Sequence, residues 1–589
     1  MRASFDTAEA VRVASRMLAT IAVVGLATTH AAAQVTTFTE VGVASGITVS
    51  HAPAALLEGG ANILGQMSAG GTVGDFDNDG DQDIFIVVGG KSADALYINQ
   101  GDGTFVNRAV DWGVSVKHMG LCAVAGDYDG DGWLDLFVTS GGLLGGPPVA
   151  GKNRLYRNTG LNSFEEVAAA AGVQYASSGA FDGTGAAWGD YDIDGDLDLF
   201  VAGWLPAAAC NRLFRNEGNG TFTNVTAAAG IVAPGMRGFS PRFADMDGDR
   251  WPELLVAADF GTSRYFRNNR DGTFTDITAA SGTGIDDNGM GQTVGDLDND
   301  GDLDWYVTSI YSMSNPEVPG TGNMLYWNGG QHSFAEGSVP AGVNQGGWGW
   351  GTDAVDIDHD GWLDLLATNG WQSWPEFLSD PTRVWLNGRD STFIEIASAC
   401  GLEETAVDRG LLSFDYDDDG DRDVLIFRYK DKPKLYRNDL VAGPAANWLT
   451  VALDTHGSRS NAPNGIGATV RVVTADGTRM RHVDAGMNYQ SQSEMTAHFG
   501  VAGDDLVDVR VDWPDGTATL LRDVRASQRL TIASGERSDV DGDGAVGPRD
   551  LAVLLAAWGA IDATDHRDLN ADGGVDAQDL AVLFANWTY

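Results

Sequence analysis

An Asp-rich, nine-residue loop recurs seven times along the chain, and no other feature restricts the possible folds as much. The first copy reads Asp75-Phe76-Asp77-Asn78-Asp79-Gly80-Asp81-Gln82-Asp83; later copies begin at Asp127, Asp190, Asp245, Asp296, Asp356 and Asp415. A second repeat follows each loop, as in Leu96-Tyr97-Ile98-Asn99 and Leu155-Tyr156-Arg157-Asn158, and ends at Asn216, Asn268, Asn328, Asn387 and Asn438 in the other copies. A third opens on Phe and closes on Gly and an aliphatic residue. Its members start at Phe38, Phe105, Phe164, Phe222, Phe274, Phe334 and Phe393. The sets are out of phase: the Phe repeat begins the array and the Asn repeat ends it. A linear solenoid leaves both ends incomplete, whereas a ring lets the N-terminal strand complete the last unit. Short apolar runs such as Ile84–Val88 and Leu134–Val138 read as strands. Four strands in about 55 residues is the size of a propeller blade. The expected fold is mainly β, with a seven-bladed β-propeller over residues 34–440.

The loops have the composition of a cation cage. Calcium takes about six to eight oxygens, and alternating carboxylates on a tight turn supply them. Positions 1, 3, 5 and 9 carry acids, and position 7 can offer its backbone carbonyl. In the first loop these positions are Asp75, Asp77, Asp79, Asp81 and Asp83. In the second they are Asp127, Asp129, Asp131, Trp133 and Asp135, and in the third Asp190, Asp192, Asp194, Asp196 and Asp198. The fourth has Asp245, Asp247, Asp249, Trp251 and Glu253; the fifth has Asp296, Asp298, Asp300, Asp302 and Asp304. The sixth has Asp356, Asp358, Asp360, Trp362 and Asp364, and the seventh Asp415, Asp417, Asp419, Asp421 and Asp423. Position 6 is Gly except in the fourth loop, where Arg250 stands there and Glu replaces Asp at position 9. That site is expected to be weaker or metal-free. Without a cation the clustered carboxylates repel one another, and the ligand count favours calcium over magnesium, which prefers a smaller octahedron with retained waters.

The Asp loops and their flanking strands, over roughly Val35 to Leu440, resemble the FG-GAP/VCBS repeat family of calcium-binding propeller blades, also found in integrin α-subunits. The resemblance implies a propeller whose metals are structural. After Val441–Asn447, which reads as a linker, alternating apolar segments such as Trp448–Leu453 and Val507–Trp513 indicate a small β domain over residues 445–533. Its motifs Gly465-Ile466-Gly467-Ala468, Tyr489-Gln490-Ser491-Gln492, His498-Phe499-Gly500 and Trp513-Pro514-Asp515-Gly516 resemble the ASPIC/UnbV domain. A propeller followed by this domain is similar to the cartilage acidic protein family and its bacterial relatives, which implies an extracellular protein. His498 reads as a hydrogen-bonded structural histidine or a functional one.

Residues 536–589 carry two loops of another type. One places Asp539, Asp541, Asp543, Ala545 and Asp550 at positions 1, 3, 5, 7 and 12; the other runs Asp568, Asn570, Asp572, Gly574, Asp576 and Asp579. This is EF-hand loop logic with Asp at position 12. Each loop leads into a short apolar helix, Leu551–Trp558 or Leu580–Trp587. The duplicated unit resembles a type I dockerin, which implies docking to a cohesin-bearing scaffold. It departs from that pattern at Pro548-Arg549 and Ala577-Gln578, where dockerins often hold Ser-Thr. A calcium-stabilised terminal cap without a cohesin is the alternative. With the seven loops above, up to nine calcium sites are expected.

The chain has 82 Asp and Glu against 37 Lys and Arg, a net charge of −45. That excludes nucleic acid, whose phosphates need basic side chains to displace counterions. Arg2, Arg12 and Arg16, the apolar Met17–Thr29 and Ala31-Ala32-Ala33 read as an export signal over residues 1–33. The apolar run is too short to span a bilayer, and no other stretch is long enough to act as a transmembrane segment. Cys122, Cys210 and Cys400 are not spaced for zinc or a disulfide framework and read as core residues, of which one pair could be bridged. No zincin, phosphate-loop or nucleophile-elbow motif occurs. Trp348, Trp350, Trp371 and Trp374 could stack on sugar rings or pack inside the propeller. The leading expectation is a secreted, non-catalytic, calcium-dependent binding or adhesion protein for an extracellular protein or glycan ligand. The alternative is an extracellular polysaccharide-active enzyme, a lyase or glycoside hydrolase, delivered by its dockerin.

Overall fold

The computed structural model describes residues 36–54, 63–141, 152–174, 183–204, 210–312, 320–440 and 446–534 apart from 457 and 459. Beyond these it describes 540, 546–560, 567, 569, 574–585 and 587. The export signal and residues 441–445 of the expected linker lie outside the described residues.

The chain is mainly β and is built from repeated four-stranded antiparallel sheets of the propeller type. Seven such sheets occur among the described residues. The first consists of Gly70–Gly74, Asp83–Val87, Ala95–Asn99 and Phe105–Asn107, paired in that order. Each Asp loop joins an innermost strand to the second strand, so position 9 of the loop is the second strand's first residue. The outermost strands bury only their leading Phe and expose the next two residues, as in Phe105–Asn107 and Phe164–Glu166. Innermost strands are buried along nearly their whole length, and several are rich in Gly and Ala, as in Gly185–Gly189. A side chain on Gly185 would collide with the Phe239 carbonyl of the next sheet.

The first Phe segment, Phe38–Glu40, pairs antiparallel with Lys434–Asn438 at the other end of the array, Phe38 opposite Asn438. It is the fourth strand of the seventh sheet. The apolar cores lie between neighbouring sheets. Phe85, Leu96 and Phe105 of the first sheet illustrate this: Phe85 and Leu96 pack with Leu136 and Phe164 of the second, while Phe105 packs with Leu412 and Leu425 of the seventh. Similar shared cores join each consecutive pair from the second sheet to the seventh.

The terminal Asn of each second repeat ties sheet to sheet. Asn158 Nδ2 donates to the carbonyl of Phe76 in the preceding loop at 2.9 Å, and Asn216 Nδ2 to that of Tyr128 at 2.8 Å. Asn268, Asn328, Asn387 and Asn438 donate to Tyr191, Met246, Leu297 and Ile357 in the same way. Asn99 donates to Tyr416 of the seventh loop, so the circuit of bonds returns to its start.

Beyond the array, a three-stranded sheet (Ala497–Ala502, Asn447–Asp454, Gln528–Ala533) faces a four-stranded one (Gly477–His482, Thr469–Thr474, Leu506–Asp512, Ala518–Arg525). Leu449, Val451, Val470, Val509, Phe499 and Trp513 fill the space between them. One segment leaves this sandwich and enters the array. Ser491–Gln492 forms a fifth, parallel strand on Gly70–Gly74. Gln492 Oε1 accepts from Thr72 Oγ1 at 2.8 Å and from Ala125 N at 2.6 Å. Residues 485–493 also bond Trp188, Pro241, Gln292, Asp353 and Leu411. One short segment therefore touches the innermost strand of all seven sheets. The sequence marked Tyr489–Gln492 as a motif of the second domain; the fold places it inside the first.

The C-terminal helices, Pro548–Ala556 and Ala577–Ala585, share a small core with Val546, Leu554, Leu569, Val575 and Leu583. Among the described residues no helix is long and apolar enough to cross a membrane.

Candidate metal centres

Each Asp loop uses its carboxylates in a fixed division of labour. In the first six loops position 1 accepts the backbone N–H groups of positions 5 and 6, as Asp75 receives Asp79 N at 3.1 Å and Gly80 N at 2.9 Å; in the seventh, Asp415 receives that of Gly420 at position 6. Position 5 accepts the N–H of position 7, as Asp79 does from Asp81 and Asp131 from Trp133, each at 3.0 Å. Position 9 accepts two N–H groups, one from position 2 and one from the Asn of the second repeat. Asp83 thus holds Phe76 N at 3.0 Å and Asn99 N at 2.8 Å. The turn needs position 6 in the left-handed region; Gly80 has φ 102°, and Arg250 adopts φ 82° in the fourth loop.

Position 3 is the exception. Asp77, Asp129, Asp192, Asp247, Asp298 and Asp417 each carry an Oδ1 that is buried and bonded to nothing in the protein. A buried polar atom normally has a partner. These oxygens sit with the acids that the sequence singled out. One oxygen each of Asp75, Asp77 and Asp83 lie within 4.8 Å of one another, as do those of Asp127, Asp129 and Asp135, and of Asp190, Asp192 and Asp194. In the seventh loop Asp415 Oδ1 and Asp421 Oδ1 are also without a partner. An all-oxygen donor set with orphaned carboxylate atoms fits a hard divalent cation.

Burial pushes the position-9 carboxyls up. Asp83 rises to about 9 despite the two N–H donors, and Asp135, Asp198, Glu253, Asp304, Asp364 and Asp423 rise well above the usual range for the same reason. At position 1, Asp190 is pushed to about 8 and Asp296 to about 7, by burial first, with smaller contributions from neighbouring aspartates. A nearby divalent charge acts in the opposite direction.

Two loops carry a guanidinium that the sequence reading missed. Arg389 Nε donates to Asp360 at 2.8 Å in the sixth loop, and Arg270 contacts Asp249 in the fourth. Both side chains start from left-handed turn positions, φ 61° and 62°, where the first and third sheets have Gly101 and Gly218. The sandwich covers part of this face. Gly500 N donates to Asp356 at 2.9 Å, Arg250 Nη1 donates to the Pro514 carbonyl at 3.1 Å, and buried Glu494 accepts from Asp415 N and pairs with Arg422 and Arg529. His498 is buried with Nε2 3.0 Å from the Gly420 carbonyl, a structural placement between the sandwich and the seventh loop.

In the C-terminal pair, Asp579 accepts Leu569 N and Asp576 N, each at 2.7 Å, and Asp550 accepts Gly547 N at 2.7 Å. Gly574 is described as well; Asp539, Asp541, Asp543, Ala545, Asp568, Asn570 and Asp572 lie outside the described residues. The Trp-rich stretches pack inward: Trp350 and Trp371 are buried, Trp348 stacks on Trp371 at 5.0 Å, and Arg409 lies 4.3 Å over Trp350. Cys122, Cys210 and Cys400 are buried in the core.

These features are similar to those of FG-GAP-like repeats followed by an ASPIC/UnbV region. The FG-GAP-like repeat family matches residues 75–138, 206–256, 245–307 and 313–367, and the ASPIC and UnbV family matches 457–539. The chain is similar to cartilage acidic protein 1. It is 26% identical to the Homo sapiens protein over 519 residues, covering 81% of this chain and 72% of the relative. Identity to the Xenopus tropicalis protein is 25% over 494 residues, covering 77% and 71%. Among solved structures, a chain in the crystal structure of BBS1N in complex with ARL6DN aligns over 66% of this chain and 93% of its own, with TM-score 0.37 and 11% identity.

Proposed function

We propose that this is a secreted, non-catalytic binding or adhesion protein whose seven-bladed propeller is held in shape by calcium in the Asp loops. The observation that carries the calcium is the repeated, buried, unpartnered Oδ1 at position 3 of the first, second, third, fifth and seventh loops. The closed circuit of Asn bonds and shared cores supports a complete ring. Binding rather than turnover is favoured because residues 485–493 reach the innermost strand of all seven sheets and Trp350 and Trp371 are buried. Recognition of a protein or glycan then falls to the outer faces. The C-terminal loop–helix pair is proposed as a second calcium-dependent module for a cohesin-type partner, supported by its buried position-12 acids Asp550 and Asp579.

Calorimetry in calcium and in EGTA, followed by calcium-replete capture of exported proteins and a glycan array, tests this reading. A sharp drop in melting temperature on chelation and calcium-dependent capture are expected. An identical melt in both buffers defeats the calcium assignment. Polysaccharide turnover abolished by a single carboxylate substitution defeats the binding-only reading.

A further inference from the structure

We propose that the fourth loop is a transition-metal site of zinc type, held by Asp247, Glu253 and His332, and not a calcium site like its sisters. His332 belongs to the next sheet's turn, after the strand Met324–Asn328. Its Nε2 lies 3.1 Å from Asp247 Oδ2. One donor atom each of Asp247, Glu253 and His332 lie within 4.8 Å of one another. Asp247 Oδ1 is buried and has no protein partner.

Three further features point the same way. His332 adopts φ 57° four residues after Asn328, where the first, third and fourth sheets have Gly103, Gly220 and Gly272 at φ 76° to 79°. A non-Gly residue there costs about 1–2 kcal/mol, and here it places an imidazole over the loop. The Tyr265 hydroxyl is 2.9 Å from His332 Nδ1. It occupies that nitrogen and leaves Nε2 for the loop, as outer partners of metal-bound histidines do. Arg270 also engages Asp249 and draws one carboxylate of the loop away from a cation. An imidazole nitrogen beside the carboxylates of Asp247 and Glu253 suits zinc with a water in its fourth position. His332 and Asp247 are 14% and 15% exposed at their side chains, so a metal and its water have a path in.

The full chain is stripped of metal, refilled with saturating calcium, then titrated with Zn2+ and, in parallel, with Co2+. One zinc equivalent that calcium does not displace is expected, with a visible ligand-field band of tetrahedral Co2+. His332→Gly, the residue of three sister turns, loses that zinc and that band and keeps its calcium stoichiometry. His332→Asn serves if the Gly variant does not fold. No zinc bound in the presence of calcium, or equal zinc binding by the variant, overturns the proposal. The calcium count in the same experiment reports separately on the other loops.

Discussion

Asn99 Nδ2 donates to the Tyr416 carbonyl at 2.9 Å across 317 residues of sequence, and so joins the first sheet to the last loop. The same amide also donates to Gln82 O at 3.2 Å. Asn99→Ala leaves both buried carbonyls without this donor. A loss of about 1–3 kcal/mol is expected, read by urea unfolding in saturating calcium. Asn216→Ala breaks the equivalent pair inside the array and is expected to cost the same. A markedly smaller loss for Asn99 would show that the seam carries no load.

Positions 3 and 9 of a loop separate metal binding from folding. Asp77 Oδ1 has no protein partner, whereas both oxygens of Asp83 hold backbone N–H groups. Asp77→Ala is expected to remove one bound calcium and leave the stability of the chelated protein within about 0.5 kcal/mol. Asp83→Ala is expected to cost about 2–4 kcal/mol with or without metal, because two N–H groups lose their acceptor. Equilibrium dialysis with 45Ca and unfolding in EGTA measure the two effects. Equal destabilisation of the chelated protein by both variants would contradict this division.

The loops, the Asn repeat and the phase offset were legible because each is local and repeated; Phe38 could be paired with the last unit on phase alone. The course of Tyr489–Gln492 was not, since its partners Met67, Thr72 and Ala125 lie hundreds of residues away and nothing in its own pattern names them. His332 was hidden for a related reason. It serves a loop ending 79 residues earlier, at Glu253, and the signal that could have found it was an imidazole in a turn position that is Gly in three sister sheets.

The inserted segment couples the sandwich to the array. A Cβ on Gly70 would strike the Gln490 carbonyl, a backbone atom with no freedom to move aside. Gly70→Ala is expected to expel the segment and cost more than about 3 kcal/mol. Gln492→Leu, which strips the bonds to Thr72 and Ala125, is expected to cost about 2–4 kcal/mol. The wild-type array and sandwich are expected to melt in one calorimetric transition. A Gly70→Ala protein with unchanged melting temperature would place the segment elsewhere in solution.

His51 makes stability depend on pH independently of the metal loops. It is buried, its Nδ1 accepts the Lys430 N–H at 3.1 Å, and its Nε2 lies 3.1 Å from Ser68 Oγ. Burial first, then the charges of Arg409 and Lys430, push its pKa from 6.5 down to about 3. Between those values the unfolded chain binds a proton that the native imidazole refuses. The stabilisation is therefore complete above pH 6.5 and is lost as pH falls toward about 3. His51→Gln cannot titrate, so its stability should fall less than that of the wild type between pH 6.5 and 5. The difference expected is about 2 kcal/mol, at about 1.4 kcal/mol per pH unit. Urea unfolding at saturating calcium across this range gives both slopes, and the comparison cancels any proton competition at the loops common to both proteins. Parallel slopes would mean that His51 is protonated, or exposed, in the native state.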